Sequence, residues 1–466
     1  MTFDPGLAQT RFGYGRSPEV AGPQNVDQMM ALLRGPDLAA ERFPVLSAEL
    51  VSLKAKDLAQ KRKVFAKAKG GTDAKDTAKE HYMQGRQQAR LDAVAWTGAE
   101  LARRVWTKDA FRERLTAFWA DHFPAPGKTL FYRFTAPAYV NSAIRPHVMG
   151  KFEDMLISAV LSPQMLHYLD QVYSVGPNST FAKQRGKGVR GLNENLAREV
   201  LELHTLGVDG AYTQQDVRQL AELLTGLTAG IGIETRYRTK RSEPGSETIL
   251  GKEYQTRRSQ MSDIHEVLRD LARHPDTARH IARKIAVHFV SDTPDIGLVD
   301  VLERRFLETE GDLGAVTEAL LRHPAAWHTH GDGVGNFKQP EMFVSSALRA
   351  LMVPPDRLMQ ATEKQLHRYF TAPLRKMGQP WRAPLGPDGF EEADTHWLSP
   401  QGLGARLQWA LGAPAAVVPD LPDPRDFVIT TLGEEAPASV RFAAKAAENR
   451  REGIALVLMS PAFQRV

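Results

Sequence analysis

The amino-acid sequence predicts an all-α protein, and three observations support this prediction. Apolar residues recur at helical spacing through most of the 466 residues, in segments long enough for several helical turns. Clusters of proline and glycine, such as residues 124–127 and 354–355, separate these segments. Signals for strands are confined to residues 232–254, which is too little for an α/β sheet.

The predicted helices follow one another along the whole chain, and no repeat of about 20–50 residues suggests a solenoid. They cover residues 24–34, 46–68, 74–106, 108–122, 136–144, 149–171, 194–206, 213–227, 262–273, 275–290, 295–309, 312–322, 339–352, 363–370, 400–411, 437–448 and 451–458. We expect one helical domain over residues 1–466 with three distinctive segments. These are a basic helical arm (46–106), a small β-hairpin (232–254) and a strap or lid rich in proline and tryptophan (353–400).

The composition is that of an ordinary globular protein, with 42% hydrophobic and 25% charged residues. No apolar run approaches the roughly 18–20 residues of a membrane span. The first twenty residues lack a basic region followed by an apolar one, so no secretory signal is visible and a cytoplasmic location is expected. The absence of cysteine excludes disulfides, thiolate metal sites and a cysteine nucleophile.

Positive charge is concentrated in the basic arm. Between Val51 and Asp92, eleven Lys and Arg side chains face five acidic ones, while the whole chain carries a net charge of +5. This one segment therefore holds the entire excess. Only Phe65 and Tyr82 add aromatic rings there, so a solvated helical arm is favoured over a contact with nucleic acid or another polyanion.

The hairpin and the strap are predicted from their local patterns. Residues alternate in IETRYRT, and a Glu-Pro-Gly-Ser turn then leads into ETILGKEY, which together predict the hairpin. In the later segment, Trp381 and Trp397 are expected to anchor a strap over the surface. A lid facing a substrate is the alternative.

The stretch Asn193 to Val217 carries the strongest candidate site. Asn193 is a good helix N-cap, and Asp216 is placed to close a capping box at the next helix. Glu199 and Glu202 are three residues apart on one helical face, so they can converge as an acid–base pair or hold a hard metal ion. Salt bridging through Arg198 along an exposed helix is the alternative.

Two histidines accompany this stretch. His122 follows Trp119 on the aromatic face of FRERLTAFWADHF, and His204 lies on the apolar side of the Asn193 helix. A buried ring nitrogen without a partner costs about 1–3 kcal/mol, so His122 needs a partner, for which Glu199 or Glu202 would suit. Core histidines that donate to a backbone carbonyl are the alternative to ligands or bases.

The loop Thr180 to Leu192 is basic and rich in glycine, and Arg190 with the next helix start is a candidate anion site. A flexible connector is the alternative. The loop lacks the P-loop pattern, and GxSxG and HExxH are absent from the chain. His323, His328 and His330 beside Asp332 form a local cluster that loop composition also explains. The sequence therefore names no cofactor or metal.

Several phrases resemble the bacterial family known as domain of unknown function 1800. They are RFGYGRSPE, FWADHF, MLHYLD, NENLAREVLELHTLGVDGAYTQQDV, EPGSETILGKEY, HPDTARHIARKIAVHFVSDTP, FKQPEMFVSSALRAL and GQPWRAP with WLSPQGLGARLQWA. The resemblance implies a helical fold without an established activity. It also implies export to the periplasm and a sulfatase-like protein partner, whereas this chain shows no export signal.

The family phrases contain most of the candidate site residues. They include Arg11, Trp119, His122, Asn195, Arg198, Glu199, Glu202 and His204, together with Lys284 and Lys338. If these phrases meet in space, they form a buried polar network, which must be well satisfied because unpaired buried charge costs several kcal/mol.

Three functions are therefore expected in decreasing order. The first is a hydrolase-like enzyme acting on an anionic or carbohydrate-type substrate. Glu199, Glu202, His122 and His204 would be its catalytic groups, and Arg198, Arg190, Asn195, Trp119 and Arg11 would bind substrate. The second is a non-catalytic helical scaffold or partner of a sulfatase-like protein, and the third is nucleic-acid binding.

Overall fold

Helices dominate the computed structural model, which describes residues 3–68, 73–128, 130–185, 191–230, 234–254, 260–329 and 335–466. The all-α prediction is confirmed, and the only strands in these ranges form two small antiparallel pairs. None of the helices in the described ranges combines the length and the apolar character needed to cross a membrane.

Within the described ranges, residues 3–322 contain sixteen α-helices. They are α1 Pro5–Arg11, α2 Val26–Arg34, α3 Leu38–Arg42, α4 Ala48–Lys67, α5 Asp73–Trp106, α6 Ala110–His122, α7 Leu130–Tyr139, α8 Phe152–Val160, α9 Pro163–Tyr168, α10 Thr180–Arg185, α11 Asn195–Glu199, α12 Gln214–Leu223, α13 Met261–Ala272, α14 Pro275–Phe289, α15 Ile296–Glu308 and α16 Leu313–Arg322. One predicted helix, 149–171, is wrong because Ser162 caps a new helix that has Pro163 at its first position.

The remaining helices follow residue 335. They are α17 Pro340–Ala350, α18 Pro355–Met359, α19 Glu363–Leu366, α20 Ala372–Lys376, α21 Asp394–Trp397, α22 Pro400–Gly412, α23 Pro414–Val417, α24 Pro424–Leu432, α25 Ala438–Ala446, α26 Arg450–Met459 and α27 Pro461–Gln464. Three π-helical turns extend α7, α11 and α19, at Val140–Ile144, Val200–His204 and His367–Thr371.

The predicted hairpin divides into two separate strand pairs. β1 (Leu227–Ala229) pairs with β2 (Thr235–Tyr237), so IETRYRT turns back onto the residues before it. β3 (Glu247–Ile249) pairs with β4 (Lys252–Tyr254) inside ETILGKEY. Leu250 and Gly251 both have positive φ in the turn between them, which is the conformation of a tight two-residue hairpin loop. The pairing of IETRYRT with ETILGKEY was therefore wrong.

The basic arm is an antiparallel pair of helices. Phe65 of α4 stacks on Tyr82 of α5 at 5.9 Å between ring centroids, and Lys54 pairs with Asp92 at 2.5 Å. The far end of α5 is buried, with Ala99 and Val105 fully enclosed. The arm is therefore continuous with the interior through its second helix.

Buried apolar residues form two principal clusters. The first core gathers α6, α8 and α11–α16 around aromatic side chains such as Trp119, Phe152 and Phe289. The second core gathers the end of α5 with α17 and α22–α26, where Phe343 meets Trp409 and Phe463 at 5.6 and 6.0 Å between ring centroids. α6 and α17 thus belong to different cores, and polar side chains occupy the space where they approach each other.

The first part of the predicted strap (353–400) is largely helical and contains α18, α19 and α20. The residues between α20 and α21, 377–393, are called the strap from here on, and they pass from the second core to the first. Trp397 just beyond it is buried, while Trp381 is half-buried and packs on Phe370 at 4.8 Å between ring centroids. The amide of Phe390 donates to the Asp121 carboxylate of α6 at 3.0 Å. The strap therefore connects the two cores across the polar space between them.

Candidate functional site

A cavity of about 90 Å³ lies where α6, α17, α14 and the strap meet. Since one water molecule occupies about 30 Å³ in the liquid, this volume suits a small polar group. Its walls carry three guanidinium groups, two carboxyl groups, an imidazole, two phenols and two amides. They belong to Tyr14, Arg104, Arg114, Asp121, Tyr139, His288, Gln339, Glu341, Gln379 and Arg382.

Helix α6 supplies one wall because of its residue spacing. Arg114, Ala117 and Asp121 stand at i, i+3 and i+7, so they share one face of the helix. The small side chain of Ala117 between the two charged residues leaves room for the cavity. The adjoining face of α6, with Leu115, Phe118 and Trp119, packs into the first core.

Arg114 carries the least compensated charge in the cavity wall. Its side chain is buried, and it makes no hydrogen bond or ion pair with any described residue. Its guanidinium lies against the rings of Tyr14 and Phe289, at 6.0 and 5.5 Å from their centroids. Burial lowers its pKa from the usual value, because the opposing effect of the Glu392 and Glu341 carboxylates does not fully offset the loss of solvent.

The other two guanidinium groups of the wall are paired. Arg104 contacts Glu341 at 2.5 Å and lies between the rings of Tyr14 and Trp381. Arg382 contacts Glu100 at 2.5 Å, but its Nη1 is buried without a partner among the described residues. The Tyr14 hydroxyl is also buried without a partner, and burial raises its pKa to about 12.

His288 and Glu392 form an imidazole–carboxylate pair at this site. His288 Nδ1 lies 2.9 and 3.0 Å from the two Glu392 oxygens, so the ring donates from Nδ1 and its Nε2 is left as an acceptor. Nε2 is buried without a partner among the described residues. Burial opposes ionisation of Glu392, but His288, Lys284 and Arg114 outweigh burial and hold its pKa below the usual value.

Asp121 faces the same cavity in a different electrostatic setting. Burial raises the pKa of its carboxyl to about 8, and Glu392 and Glu341 add to this effect against the Phe390 amide and Lys284. Asp121 is therefore largely protonated at neutral pH while Glu392 is ionised. Two carboxyl groups with opposite pKa shifts in one site are typical of an acid and a base with separate roles.

The predicted carboxylates of α11 lie outside this cavity. Arg198 contacts Glu202 at 3.0 Å and Glu194 at 3.6 Å, which is the salt-bridged helix face of the alternative interpretation. Glu199 is half-buried, and burial, Glu202 and Asp388 raise its pKa to about 7. Among the described residues, no three His, Asp or Glu side chains are arranged to hold a metal ion.

His122 and His204 are buried together in the first core. The π-helical turn after α11 frees two backbone carbonyls, and histidine rings bind them. His122 Nε2 lies 3.2 Å from the oxygen of His204, and His280 Nε2 lies 3.1 Å from that of Leu203. The expected pairing of His122 with Glu199 or Glu202 was therefore wrong, because a backbone carbonyl takes its place.

Gly207 completes the end of this turn. Its φ of +88° is a conformation that other residues rarely adopt, and a Cβ atom there would lie 2.9 Å from His280 Nδ1. Thr205 also binds the turn, donating to the Val200 oxygen at 2.6 Å.

The remaining predicted residues lie apart from the cavity. Arg11 is fully buried and donates to the backbone oxygens of Ala326 and Val466, at 2.8 and 3.4 Å. Trp119 packs on Phe118, with 4.9 Å between ring centroids. Asn195 is exposed, and its backbone amide donates to the Asn193 side chain at 3.0 Å. The N-cap of α11 is Glu194, so the predicted N-cap at Asn193 was wrong by one residue. The roles of Arg11, Trp119 and Asn195 in substrate binding stay predictions.

Some predicted positions fall outside the described residues. These include Arg190 of the glycine-rich loop, and His330 and Asp332 of the histidine cluster. His323 of that cluster accepts a hydrogen bond from the Ala325 amide at 3.3 Å and so caps a short helix.

The buried histidines give a prediction for stability against pH. Burial lowers the pKa of His204 to about 3 and of His280 to about 4, and that of His122 well below its usual value. The unfolded chain takes up these protons below about pH 6.5, so folding stability is expected to be complete above that pH and to fall as the pH drops toward 4. Each histidine contributes a slope of up to about 1.4 kcal/mol per pH unit.

Urea unfolding between pH 4 and pH 7 measures this slope. We expect the slope for His204→Gln to be lower by about 1.4 kcal/mol per pH unit, because one proton fewer is taken up on unfolding. Replacement of the exposed His81 on α5 by Gln is the matched control and should leave the slope unchanged. Equal slopes for all three proteins would contradict the neutral state of His204.

The fold and the cavity define an all-helical protein with a cation-lined cleft and an imidazole–carboxylate pair at the contact of two cores. Residues 8–465 match the family described as Protein of unknown function (DUF1800). The chain therefore belongs to this family, and the resemblance found in the sequence is confirmed. No curated protein and no solved structure matches the chain significantly.

Proposed function

We propose that the protein is a hydrolase whose substrate places a small anionic group in the cavity between the cores. One observation carries this proposal: His288, which is paired with Glu392, shares a cavity wall with Arg114, which forms no ion pair with a described residue. An imidazole oriented by a carboxylate is a recurrent general base. A buried guanidinium without an anion is a binding group that awaits one.

The cavity accounts for the choice of an anionic substrate. Arg104 and Arg382 already contact carboxylates, so Arg114 is the group with charge to offer. Its planar donors suit a phosphate, sulfate or carboxylate oxygen. The volume of about 90 Å³ favours insertion of the charged group alone, with the rest of the substrate outside.

The proposed reaction uses His288 as the general base and Asp121 as the general acid. His288 Nε2 takes a proton from water, and the water oxygen bonds to the phosphorus, sulfur or carbonyl carbon of the bound ester. The bond from that atom to the leaving oxygen breaks, and Asp121, protonated below about pH 8, donates its proton to the leaving oxygen. Glu392 holds the imidazole and stabilises its charged form.

The face of α11 is a second candidate for acid–base chemistry. Glu199 combines a pKa of about 7 with partial burial beside Asp388 of the strap, which suits proton transfer near neutral pH. A carbohydrate-type substrate would extend across the surface toward this face. A role as a partner of a sulfatase-like protein stays a prediction from the family resemblance.

Hydrolysis of chromogenic esters tests the proposal. We expect turnover of p-nitrophenyl phosphate, sulfate or hemisuccinate, and little turnover of neutral p-nitrophenyl acetate. Arg114→Met should raise KM for the preferred anion by about 10- to 100-fold, because a charged hydrogen bond is lost. Arg62→Met, an exposed change on the basic arm, is the control.

The comparison of charged and neutral esters decides the outcome. Equal turnover of the acetate and the anionic esters, together with an unchanged KM in Arg114→Met, would exclude recognition of an anion at this site. Absence of turnover for the entire panel, with no binding of phosphate or sulfate in calorimetry, would exclude the proposed substrate class.

A further inference from the structure

Two adjoining depressions lie on the second core. None of their described lining residues lines the cavity between the cores. The first, the cationic groove, has a volume of about 450 Å³ between α20, α22 and α23. The second, the apolar pocket, has a volume of about 310 Å³ beside α5, α18 and α19. Tyr369 and Ala416 line both, so the two depressions share a wall.

The cationic groove carries unbalanced positive charge. Arg368, Lys376 and Arg451 line it and are exposed, and no acidic side chain lines it among the described residues. None of the three forms an ion pair within the described ranges. Arg451 is held in place by a hydrogen bond from its Nε to the Leu411 oxygen. The groove therefore favours an anionic group.

The apolar pocket has the opposite character. Aliphatic and aromatic side chains form most of its wall, while Asp356, Arg357 and two glutamines are its polar members. The apolar wall consists of Leu101, Leu348, Val353, Leu358, Leu366 and Phe370. Such a surface gains free energy by covering hydrocarbon.

The wall between the two depressions is built into the fold. Tyr369 lies in the π-helical turn after α19, which frees its backbone oxygen, and the Trp409 indole donates to that oxygen at 2.7 Å. The Arg368 guanidinium lies 5.4 Å from the Tyr369 ring centroid. A cation and an apolar ring thus stand next to each other at the junction of groove and pocket.

We propose that the groove and pocket bind one medium-chain fatty acid, with its carboxylate at the three cations and its alkyl chain in the apolar pocket. Each volume is within the range of about 300–1,000 Å³ that small-molecule sites occupy. An anionic head with one hydrocarbon tail is the ligand that matches both adjoining chemistries. This site is independent of the proposed hydrolase function.

A series of fatty acids of increasing chain length tests whether the apolar pocket of the native protein binds the alkyl chain. Calorimetric titration with butyrate, hexanoate, octanoate, decanoate and laurate should show affinity rising by about fourfold for each added CH₂ until the pocket is filled. Equal affinity for butyrate and laurate would overturn the proposal, since only the head would then be bound. Absence of laurate binding would overturn it as well.

Two comparisons test recognition of the carboxylate by the cationic groove. One changes the ligand, and the other changes the protein. Dodecanol should bind at least about tenfold more weakly than laurate, because it lacks the charge that the groove recognises. The triple variant R368A/K376A/R451A should lose the same factor. The matched control R62A/K63A/K79A, three exposed cations of the basic arm, should bind laurate as the native chain does.

Two further results complete the test. Far-ultraviolet circular dichroism of both triple variants should be native, and the dodecanol comparison decides the matter on native protein if a variant fails to fold. Equal affinity for dodecanol and laurate would overturn the role of the cations. Binding to phosphatidylglycerol vesicles without binding of laurate would assign the surface to a membrane and overturn the fatty-acid site.

Discussion

The His288→Gln variant is expected to hydrolyse an anionic ester about 10²- to 10⁴-fold more slowly than the native protein, through kcat with little change in KM. Glutamine keeps the polar volume of the site but cannot take the proton from water. Glu392→Gln should also lower kcat, because the Nδ1 hydrogen bonds of 2.9 and 3.0 Å that orient the ring lose their charge.

The adjacent residue offers a matched control. Glu391 precedes Glu392 on the strap, but its side chain is exposed, whereas that of Glu392 is bonded to His288. Glu391→Gln makes the same chemical change one residue away and should leave kcat unaltered. Equal losses in Glu391→Gln and Glu392→Gln would mean that strap charge in general, and not the His288 pair, supports turnover.

The pH dependence of kcat tests Asp121 separately. Because the proton on its carboxyl is released at about pH 8, activity is expected to fall as the pH rises through that value. Asp121→Asn should lower kcat and remove this alkaline limb, since the amide has no proton to lose. Persistence of the limb in the variant would assign it to another group.

The second large effect concerns stability. Arg145→Met is expected to lower the free energy of unfolding by about 3–5 kcal/mol. Arg145 contacts Glu113 at 2.5 and 3.0 Å and Asp37 at 2.6 and 2.9 Å, and the Arg145 and Glu113 side chains are each only 6% exposed. Its loss leaves the Glu113 charge buried without compensation.

Denaturant unfolding of three variants measures this effect. Arg34→Met removes a surface pair with Glu318 of equal length, 2.5 Å, whose arginine side chain is 59% exposed, and should lose about 0–1 kcal/mol. The double variant Arg145→Met with Glu113→Gln should regain part of the lost free energy of unfolding, because it no longer buries the unpaired Glu113 carboxylate. A loss for Arg145→Met no larger than for Arg34→Met would contradict the buried network.

The sequence predicted helix positions well where apolar spacing and caps agree. α14 and α22 begin at the predicted residues because a capping residue and a proline at the first position mark both starts. Short helices such as α24 and α27 were missed, since fewer than three turns give little periodicity. The partner of IETRYRT was missed because strand pairing is set by tertiary contacts.

The sequence did not predict the position of the cavity between the cores. It predicts a Glu, Arg and His site at α11, which stays a prediction, whereas Arg114, Asp121 and the pair of His288 with Glu392 lie at the cavity. The spacing of Arg114 and Asp121 at i and i+7 is visible in the sequence, but a charged pair on an aromatic helix does not by itself distinguish a cavity wall from solvated surface. Glu392 could not be found this way, because it lies on irregular chain whose path only the packing of two cores determines.

The hydrogen bond from the Phe390 amide to Asp121 makes one backbone hydrogen a natural reporter. An amide in a hydrogen bond is protected from exchange with solvent deuterium until that bond breaks. The exchange rate of this amide therefore measures how often the strap and α6 lose contact. No side chain need be altered or labelled, so the measurement is made on the native chain.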